Sequence, residues 1–304
     1  MTPAPTQAVH QPVLLAEVLS AVQAGSANVV VDGTVGAGGH SSQILKQLKA
    51  GSRLIGLDRD LMMLDFARQK LTFPNAPQFD LVHSSYRDMR KVLDDLEIEF
   101  ADRVLLDLGL SSDQLAHQER GFGFQTSGDL DLRFDNTSGQ PAWEWLQNES
   151  EADIIEGLVQ YGEEPHAECI ARQIVKQRKQ NSPIRTVPEL VSVIEECSRS
   201  RGGTGKSHPA TRTFQALRIL VNQELQHLQT FLETGLPQSL HPNGIVAIIT
   251  FHSIEDRMVK QAFQTQNGWK ELHKKPVAPR ALEVKMNPRS RSAKLRVAQR
   301  ISPA

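Results

Sequence analysis

Short apolar runs alternate with amphipathic stretches through the first third of the chain. Runs rich in Val, Ile and Leu predict strands at Asn28 to Asp32, Arg53 to Asp58, Gln78 to His83 and Arg103 to Leu108. Helical periods fill the intervals, at Pro12 to Val22, Ser41 to Leu48, Leu61 to Leu71 and Tyr86 to Leu96. Strands of this kind, separated by helices, form a parallel sheet covered on both faces. After Asp107 the rhythm stops, and the next strand pattern, Gly244 to Phe251, follows more than a hundred residues later. One crossover needs far less chain than that, so something is inserted. Helical patterns at Pro141 to Gln147, Glu151 to Tyr161, Glu164 to Gln180 and Pro188 to Cys197 fill the interval. Two of them open on capping signals, Ser150-x-x-Asp153 and Thr186-x-x-Glu189. The insert is therefore expected to be all-helical, with Trp143, Trp145, Ile154, Ile155, Leu158 and Ile174 in its own core.

A long helix from about Pro209, carrying Phe214, Leu217, Leu220, Leu225, Leu228 and Leu232 and stopped by Gly235, is expected to lead back to the sheet. Strand Gly244 to Phe251, helix Ile254 to Phe263 and a last strand, Lys294 to Ile301, complete the pattern. Pro276 to Ser292, basic and punctuated by proline, is expected to be the most mobile stretch. The predicted organisation is a core in two parts, 1–117 and 209–304, around a helical insert at 118–208.

Chemistry concentrates where strands end. Val-Val-Val-Asp32 runs into Gly-Thr-Val-Gly-Ala-Gly-Gly-His40, a turn whose glycines let backbone N–H groups approach a ligand. Asp58 ends the second strand, where such a fold presents an acid to a ribose. Ser41 stands where the third glycine of Gly-x-Gly-x-x-Gly should be, which weakens a dinucleotide reading. Asp32 suits S-adenosylmethionine instead, because the methionine end of that methyl donor carries an ammonium group. Asp107-Leu-Gly-Leu-Ser-Ser112 follows the fourth strand. Amino-group methyltransferases hold a proline-containing tetrad there; here an acid, a close-approach glycine and two hydroxyls persist without the prolines or the aromatic ring. Arg201-Gly-Gly-Thr-Gly-Lys-Ser207 ends like a phosphate-binding loop but lacks its first glycine, since Ser200 holds that position.

Composition narrows the setting. With 304 residues, 39% hydrophobic and 23% charged, the chain is an ordinary globular one. Cys169 and Cys197 fit no zinc or redox spacing and read as helix-packing residues, so a reducing cytoplasm is expected. Met1 to Val9 has neither the basic nor the apolar region of an export signal, and no membrane insertion is expected. The net charge of −1 conceals an asymmetry. From Trp269 to Ala304 ten Lys and Arg stand against Glu271 and Glu283, a local charge of +8. Cys169 to Arg185 and Arg199 to Arg218 each hold five basic residues and no acid. Three such segments point to a polyanionic partner.

These blocks together resemble one family, the bacterial 16S ribosomal RNA (cytosine N4) methyltransferases of the RsmH or MraW type. The marks are Asp-Gly-Thr-Val-Gly-Ala-Gly-Gly-His40, Leu-Asp-Arg-Asp60, Leu-Leu-Asp-Leu-Gly-Leu-Ser-Ser112, Glu-Arg-Gly-Phe122, Leu-Asp-Leu-Arg133, Tyr-Gly-Glu-Glu164, His-Pro-Ala-Thr-Arg-Thr-Phe-Gln-Ala-Leu-Arg-Ile219 and Phe-His-Ser-Ile-Glu-Asp256. The resemblance implies a class I S-adenosylmethionine-dependent methyltransferase fold, Rossmann-like α/β, with a helical substrate-recognition insert. It implies methylation of N4 of a decoding-centre cytidine, position 1402 in the usual rRNA numbering, on the 30S subunit and without a metal. The cofactor contacts it implies are Gly38, Gly39, His40, Asp58 on the ribose, Tyr86 beside the adenine, Asp107 and Gln114. The need of an amine target for a hydrogen-bond acceptor makes Asp107 the catalytic candidate as well. His252 is ambiguous between a ligand-facing and a structural role. Two other readings stay open at this stage, a nicotinamide-dependent oxidoreductase and a non-catalytic RNA-binding assembly factor.

Overall fold

The apolar runs do form a single sheet. In the computed structural model, which describes residues 12–199, 208–265 and 268–301, the strands are β1 (Val29–Asp32), β2 (Arg53–Asp58), β3 (Gln78–His83), β4 (Ala101–Asp107), β5 (Leu240–Thr250), β6 (Trp269–Glu271) and β7 (Lys294–Arg300). Their order is β3-β2-β1-β4-β5-β7-β6. Pairing is parallel from β3 through β5, whereas β7 runs antiparallel to both β5 and β6. This is the mostly parallel, Rossmann-like α/β sheet expected. Strand order reverses between β1 and β4, the kind of switch point at whose carboxyl edge open α/β sheets bind ligands. Asp32, Asp58 and Asp107 are the last residues of β1, β2 and β4, all on that edge.

Around the strands the chain forms α1 (Leu15–Val22), α2 (Gly39–Gln47), α3 (Leu61–Leu71) and α4 (Met89–Asp95). The helices α5 (Ser112–Ala116), α6 (Ala142–Asn148), α7 (Glu151–Gly162), α8 (Ala167–Lys179), α9 (Val187–Arg199) and α10 (Ala210–Asn222) come next. The described helices end with α11 (Glu224–Thr230), α12 (Leu236–Ser239), α13 (Ser253–Thr265) and α14 (Ala281–Met286). Strand side chains alternate between two cores, as a pleated strand requires. Val30, Leu54, Leu105, Ala247 and Ile249 pack with α1 and α2. Val31, Ile55, Leu106, Val246 and Ile248 pack on the other face with α4, α12 and α13, around the fully buried Phe231.

The chain divides into two compact units, one made of the residues up to Gly109 and from His227 onward, the other Leu110–Gln226. The second unit has its own core, in which Ile154, Leu158 and Ile174 are buried and Trp143, Trp145 and Ile155 pack against them. The division differs from the expected 118–208 insert because α10 belongs to the helical unit, where Ala210, Phe214, Ala216 and Leu217 are buried. The predicted long helix is broken at Gln223, whose φ is 51°. Apolar spacing continues through the break because the helices on both sides bury a face, so periodicity alone did not mark it. Gly235 is not a stop either, since it lies in a π turn at φ −60° and leads into α12.

Two further expectations change. Cys169 and Cys197 are not separate packing residues but a disulfide joining α8 to α9, with Cα atoms 5.9 Å apart. Their separation of 28 residues carried no pairing signal; the helix pair brings them together. The Pro276 to Ser292 stretch holds α14 and a 3₁₀ turn, tied down by Glu283, which accepts the Leu14 N–H at 2.8 Å, and by the buried Ser290. Edge strand β6, at three residues, was too short to leave a pattern. Among the described residues no helix is long and apolar enough to cross a membrane. Met1 to Val9 and the Ser200 to Ser207 loop lie outside the described residues.

Candidate active site

The carboxyl edge at the β1/β4 switch is built by a glycine turn and three acids. After Asp32 the chain passes Gly36 at φ 49° and Gly38 at φ 78°, left-handed positions that favour glycine. A Cβ at Gly38 would also press on the Ala67 backbone of α3, 3.3 Å away. At Gly36 a Cβ would find nothing nearer than the Thr34 carbonyl at 4.0 Å, so the turn leaves room over that residue.

Asp58 holds the turn open. Its Oδ2 accepts the Gly36 N–H at 2.8 Å and its Oδ1 accepts the Asp60 N–H at 2.9 Å. One lone pair on each oxygen is left for a ligand. Burial pushes this carboxyl up to about 6, with the charges of Asp60 and Asp32 adding to the effect and the two N–H bonds opposing it.

Asp32 faces inward. It is 1% exposed, with Oδ1 accepting the Thr34 N–H at 3.2 Å and Oδ2 accepting the Ser41 hydroxyl at 2.6 Å. It braces the turn against the start of α2, and its burial, not the number of its bonds, leaves it almost no surface to offer the ammonium of a ligand, whereas Asp58 is only partly buried. Burial raises its pKa, against the Ser41 bond and the nearby His40.

Asp107 and His40 meet across the switch. His40 Nδ1 lies 3.6 Å from Asp107 Oδ2, and His40 Nε2 lies 2.9 Å from the Val13 carbonyl. The Asp107 N–H donates to Thr34 Oγ1 at 2.6 Å, and its Oδ1 accepts the Gly109 N–H at 3.3 Å. Thr34 thus serves two of the acids, a role that sequence reasoning missed because a lone Thr in a turn carries no distinctive signal. Burial pushes Asp107 up to about 7, and the charge of Glu255 adds to the rise. Burial lowers His40 despite the acids around it.

Tyr86 follows β3 in a 3₁₀ turn capped by Ser85 and sets its ring edge-on to Phe231, centroids 5.4 Å apart. Beside it His227 is approached by Ser85 Oγ at 3.1 Å, Arg87 at 3.1 Å and Arg59 at 3.4 Å. Burial and the two guanidinium groups push His227 down to about 4. This basic cluster was also missed, since its members are far apart in sequence. His252 lies at the end of β5, where Glu255 accepts the Phe251 N–H at 2.9 Å and comes within 3.0 Å of His252 Nε2, with both side chains buried. Gln114 belongs to the helical unit, where it closes a capping box at the start of α5 by exchanging bonds of 3.0 Å with Ser111.

The basic segments sort into ties and exposed charge. Lys294 and Arg296 both bind Asp256, at 2.8 and 2.7 Å, and Arg300 donates to the Leu240 carbonyl. They tie β7 into the fold, Arg296 buried and Lys294 with its side chain still 42% exposed. Lys270, Lys274, Lys275, Arg280, Lys285 and Arg291 are exposed. In the helical unit Arg178 caps the carbonyl end of α6, and Arg218 forms a two-bond pair with Glu224.

The family model described as the MraW methylase family matches residues 7–301. The chain is 44% identical over 300 residues to the ribosomal RNA small subunit methyltransferase H of Rhodopirellula baltica, covering 96% of this chain and 91% of that one. It is 43% identical to the protein of the same name from a Sulfurihydrogenibium species, covering 96% and 99%. Among solved structures, a SAM-dependent O-methyltransferase from Thermotoga maritima aligns over 98% of this chain and 69% of its own, with 6% identity and a TM-score of 0.44. That distance is too great for any residue role to be carried across. By the near full-length match and the identity of its relatives, the chain belongs to the MraW methylase family.

Proposed function

We propose that the chain transfers a methyl group from S-adenosylmethionine to the N4 amine of a cytidine in 16S rRNA, the decoding-centre position 1402, on the 30S subunit in the cytoplasm. The observation that carries this reading is the pair of strand-end acids, Asp58 and Asp107, flanking one glycine turn at the switch point of the sheet. The residues suit the methyl donor. Asp58, fixed by two backbone N–H groups with a lone pair spare on each oxygen, matches two ribose hydroxyls. Gly38 and Gly39 offer close backbone, and Tyr86 an aromatic edge for an adenine. Bound S-adenosylmethionine supplies an electrophilic methyl whose bond to sulfur breaks, leaving its electron pair on sulfur, as the bond to N4 forms.

The protein's task is then to make a poor nucleophile react. The lone pair of a cytosine amine is delocalised into the ring, so an acceptor for its N–H is the main device required. Asp107 is that acceptor: its carboxyl is fixed by the Gly109 N–H and titrates at about 7, where a group can both bind and release a proton at working pH. Such chemistry requires the base to leave its stack, as single-stranded or looped RNA allows. The exposed lysines and arginines between Lys270 and Arg291 supply phosphate contacts. Membership of a methylase family removes the oxidoreductase alternative.

The test is to incubate the protein and labelled S-adenosylmethionine with unmodified 30S subunits and with naked 16S rRNA, then digest and map the product by nucleoside mass spectrometry. N4-methylcytidine at the decoding centre is expected. Methyl groups found only on ring carbons or on ribose would overturn the N4 assignment.

A further inference from the structure

The carboxyl end of β1 and β4 holds more acid–base machinery than one proton acceptor needs. His40 is only 7% exposed at its side chain, so water does not compete for its ring nitrogens. One of them is assigned by its partner: the Val13 carbonyl can only accept, so Nε2, at 2.9 Å, carries the ring hydrogen. A neutral ring then has its bare lone pair on Nδ1, the nitrogen that faces Asp107 Oδ2 at 3.6 Å. That separation is one a loose pair closes when substrate binds. We propose that His40 is a positioning residue for methyl transfer, taking over on Nδ1 the proton that Asp107 removes from the target amine. The proposal rests on the N4 reading above.

The proton balance is closed within the protein. The N–H bond of the methylated amine breaks and its electron pair stays on nitrogen. The proton moves to Asp107 and from there to His40 Nδ1, which restores the Asp107 carboxylate. The ring becomes an imidazolium that still donates through Nε2 to Val13. Burial opposes that charge and holds the resting ring neutral, while Asp32 from β1 and Glu283 from α14 favour it, and Asp107 Oδ2 on β4 lies 3.6 Å from Nδ1. Glu283 is itself anchored by the Leu14 N–H, next to the Val13 carbonyl, so one short segment fixes both the tautomer and a counter-charge. Asp32 is anchored by Ser41 and Thr34.

His40→Gln separates the roles, because its amide reaches as far as Nε2 and can still donate to Val13, whereas nothing replaces Nδ1. Single-turnover methylation of 30S subunits at saturating S-adenosylmethionine would be followed from about pH 6 to pH 9. We expect a plateau roughly tenfold lower and a rising limb shifted about one pH unit to the acid side, both read at saturating cofactor so that a change in S-adenosylhomocysteine affinity, measured separately, does not enter them. A wild-type plateau and midpoint in the variant would overturn the relay. A second measurement needs no variant: ring ¹⁵N NMR of the wild-type protein should show a protonated Nε2 and a bare Nδ1, and the opposite tautomer would overturn it equally. Wild-type protein that leaves N4 unmethylated would sink the parent reading and this one with it, whereas normal methylation by His40→Gln sinks this one alone.

Discussion

Replacing Asp58 by alanine separates a ligand-binding acid from a structural one. The wild-type carboxylate receives two backbone N–H bonds and is nonetheless pushed up to about 6 from an ordinary 3.8. Keeping it ionised at pH 7 therefore costs the fold about 3 kcal/mol. The sign follows from proton counts: the native state holds this proton more tightly than the unfolded chain. Its contribution to stability is thus present below about pH 4 and is lost as the pH rises toward about 6. Two ribose hydroxyls donating to the charged oxygens would each contribute about 1.5 to 3 kcal/mol, so their loss should weaken binding about a hundredfold or more.

Calorimetry with S-adenosylhomocysteine reads this directly. Wild-type affinity should rise with pH through about 6 and level off, while Asp58→Ala should bind at least about a hundredfold more weakly and show a flatter profile. Without ligand, the relief of a buried charge opposes the loss of two hydrogen bonds, so the variant should unfold within about 2 kcal/mol of wild type. Affinity within about threefold of wild type would remove Asp58 from the site. A destabilisation beyond about 4 kcal/mol would make it a brace like Asp32.

Asp107→Asn should lower single-turnover methylation about 10²-fold at saturating cofactor, because the amide keeps one acceptor oxygen and can turn a donor toward the target amine; a wild-type rate would leave Asp107 as a binding residue alone. Replacing Lys274, Lys275 and Arg280 together should flatten the slope of log RNA affinity against log salt without changing S-adenosylhomocysteine affinity, and an unchanged slope would mean this face does not meet RNA. Reducing the Cys169–Cys197 disulfide releases a loop of 28 residues and should lower stability by about 3 to 4 kcal/mol. Denaturant midpoints with and without reductant test this, and equal midpoints would mean that the apolar contacts of α8 and α9 hold the pair unaided.

Strand positions were legible because burial on both faces leaves an unbroken apolar run, and β2 and β3 have the predicted ends. The three acids were legible because each terminates such a run. Their roles were not. Asp32 and Asp58 both follow apolar strands and both border the same glycines, yet one is buried while the other is only partly so. That difference depends on packing, which spacing does not encode. The helix break at Gln223 and the disulfide were hidden for a related reason: both are consequences of how helices pack and leave the local pattern unchanged.

The same logic explains why the charged C-terminal segment divides as it does. By composition Lys294, Arg296 and Arg300 are indistinguishable from Lys274 and Lys275. In the fold, β7 runs antiparallel between β5 and β6, and the side chains it turns toward α13 meet the carboxylate of Asp256. Arg296, 6% exposed, binds Asp256, which also takes Lys294 and whose own pKa is lowered by the two cations despite burial. Removing Asp256 would leave the buried guanidinium of Arg296 with only the more distant Glu271, 3.6 Å away, a loss that falls on the stability of the fold. Charge that faces RNA must instead come from segments with no such partner to satisfy. Lys270, on edge strand β6, and Lys274, Lys275 and Lys285, in the turns and short helix between β6 and β7, meet that condition.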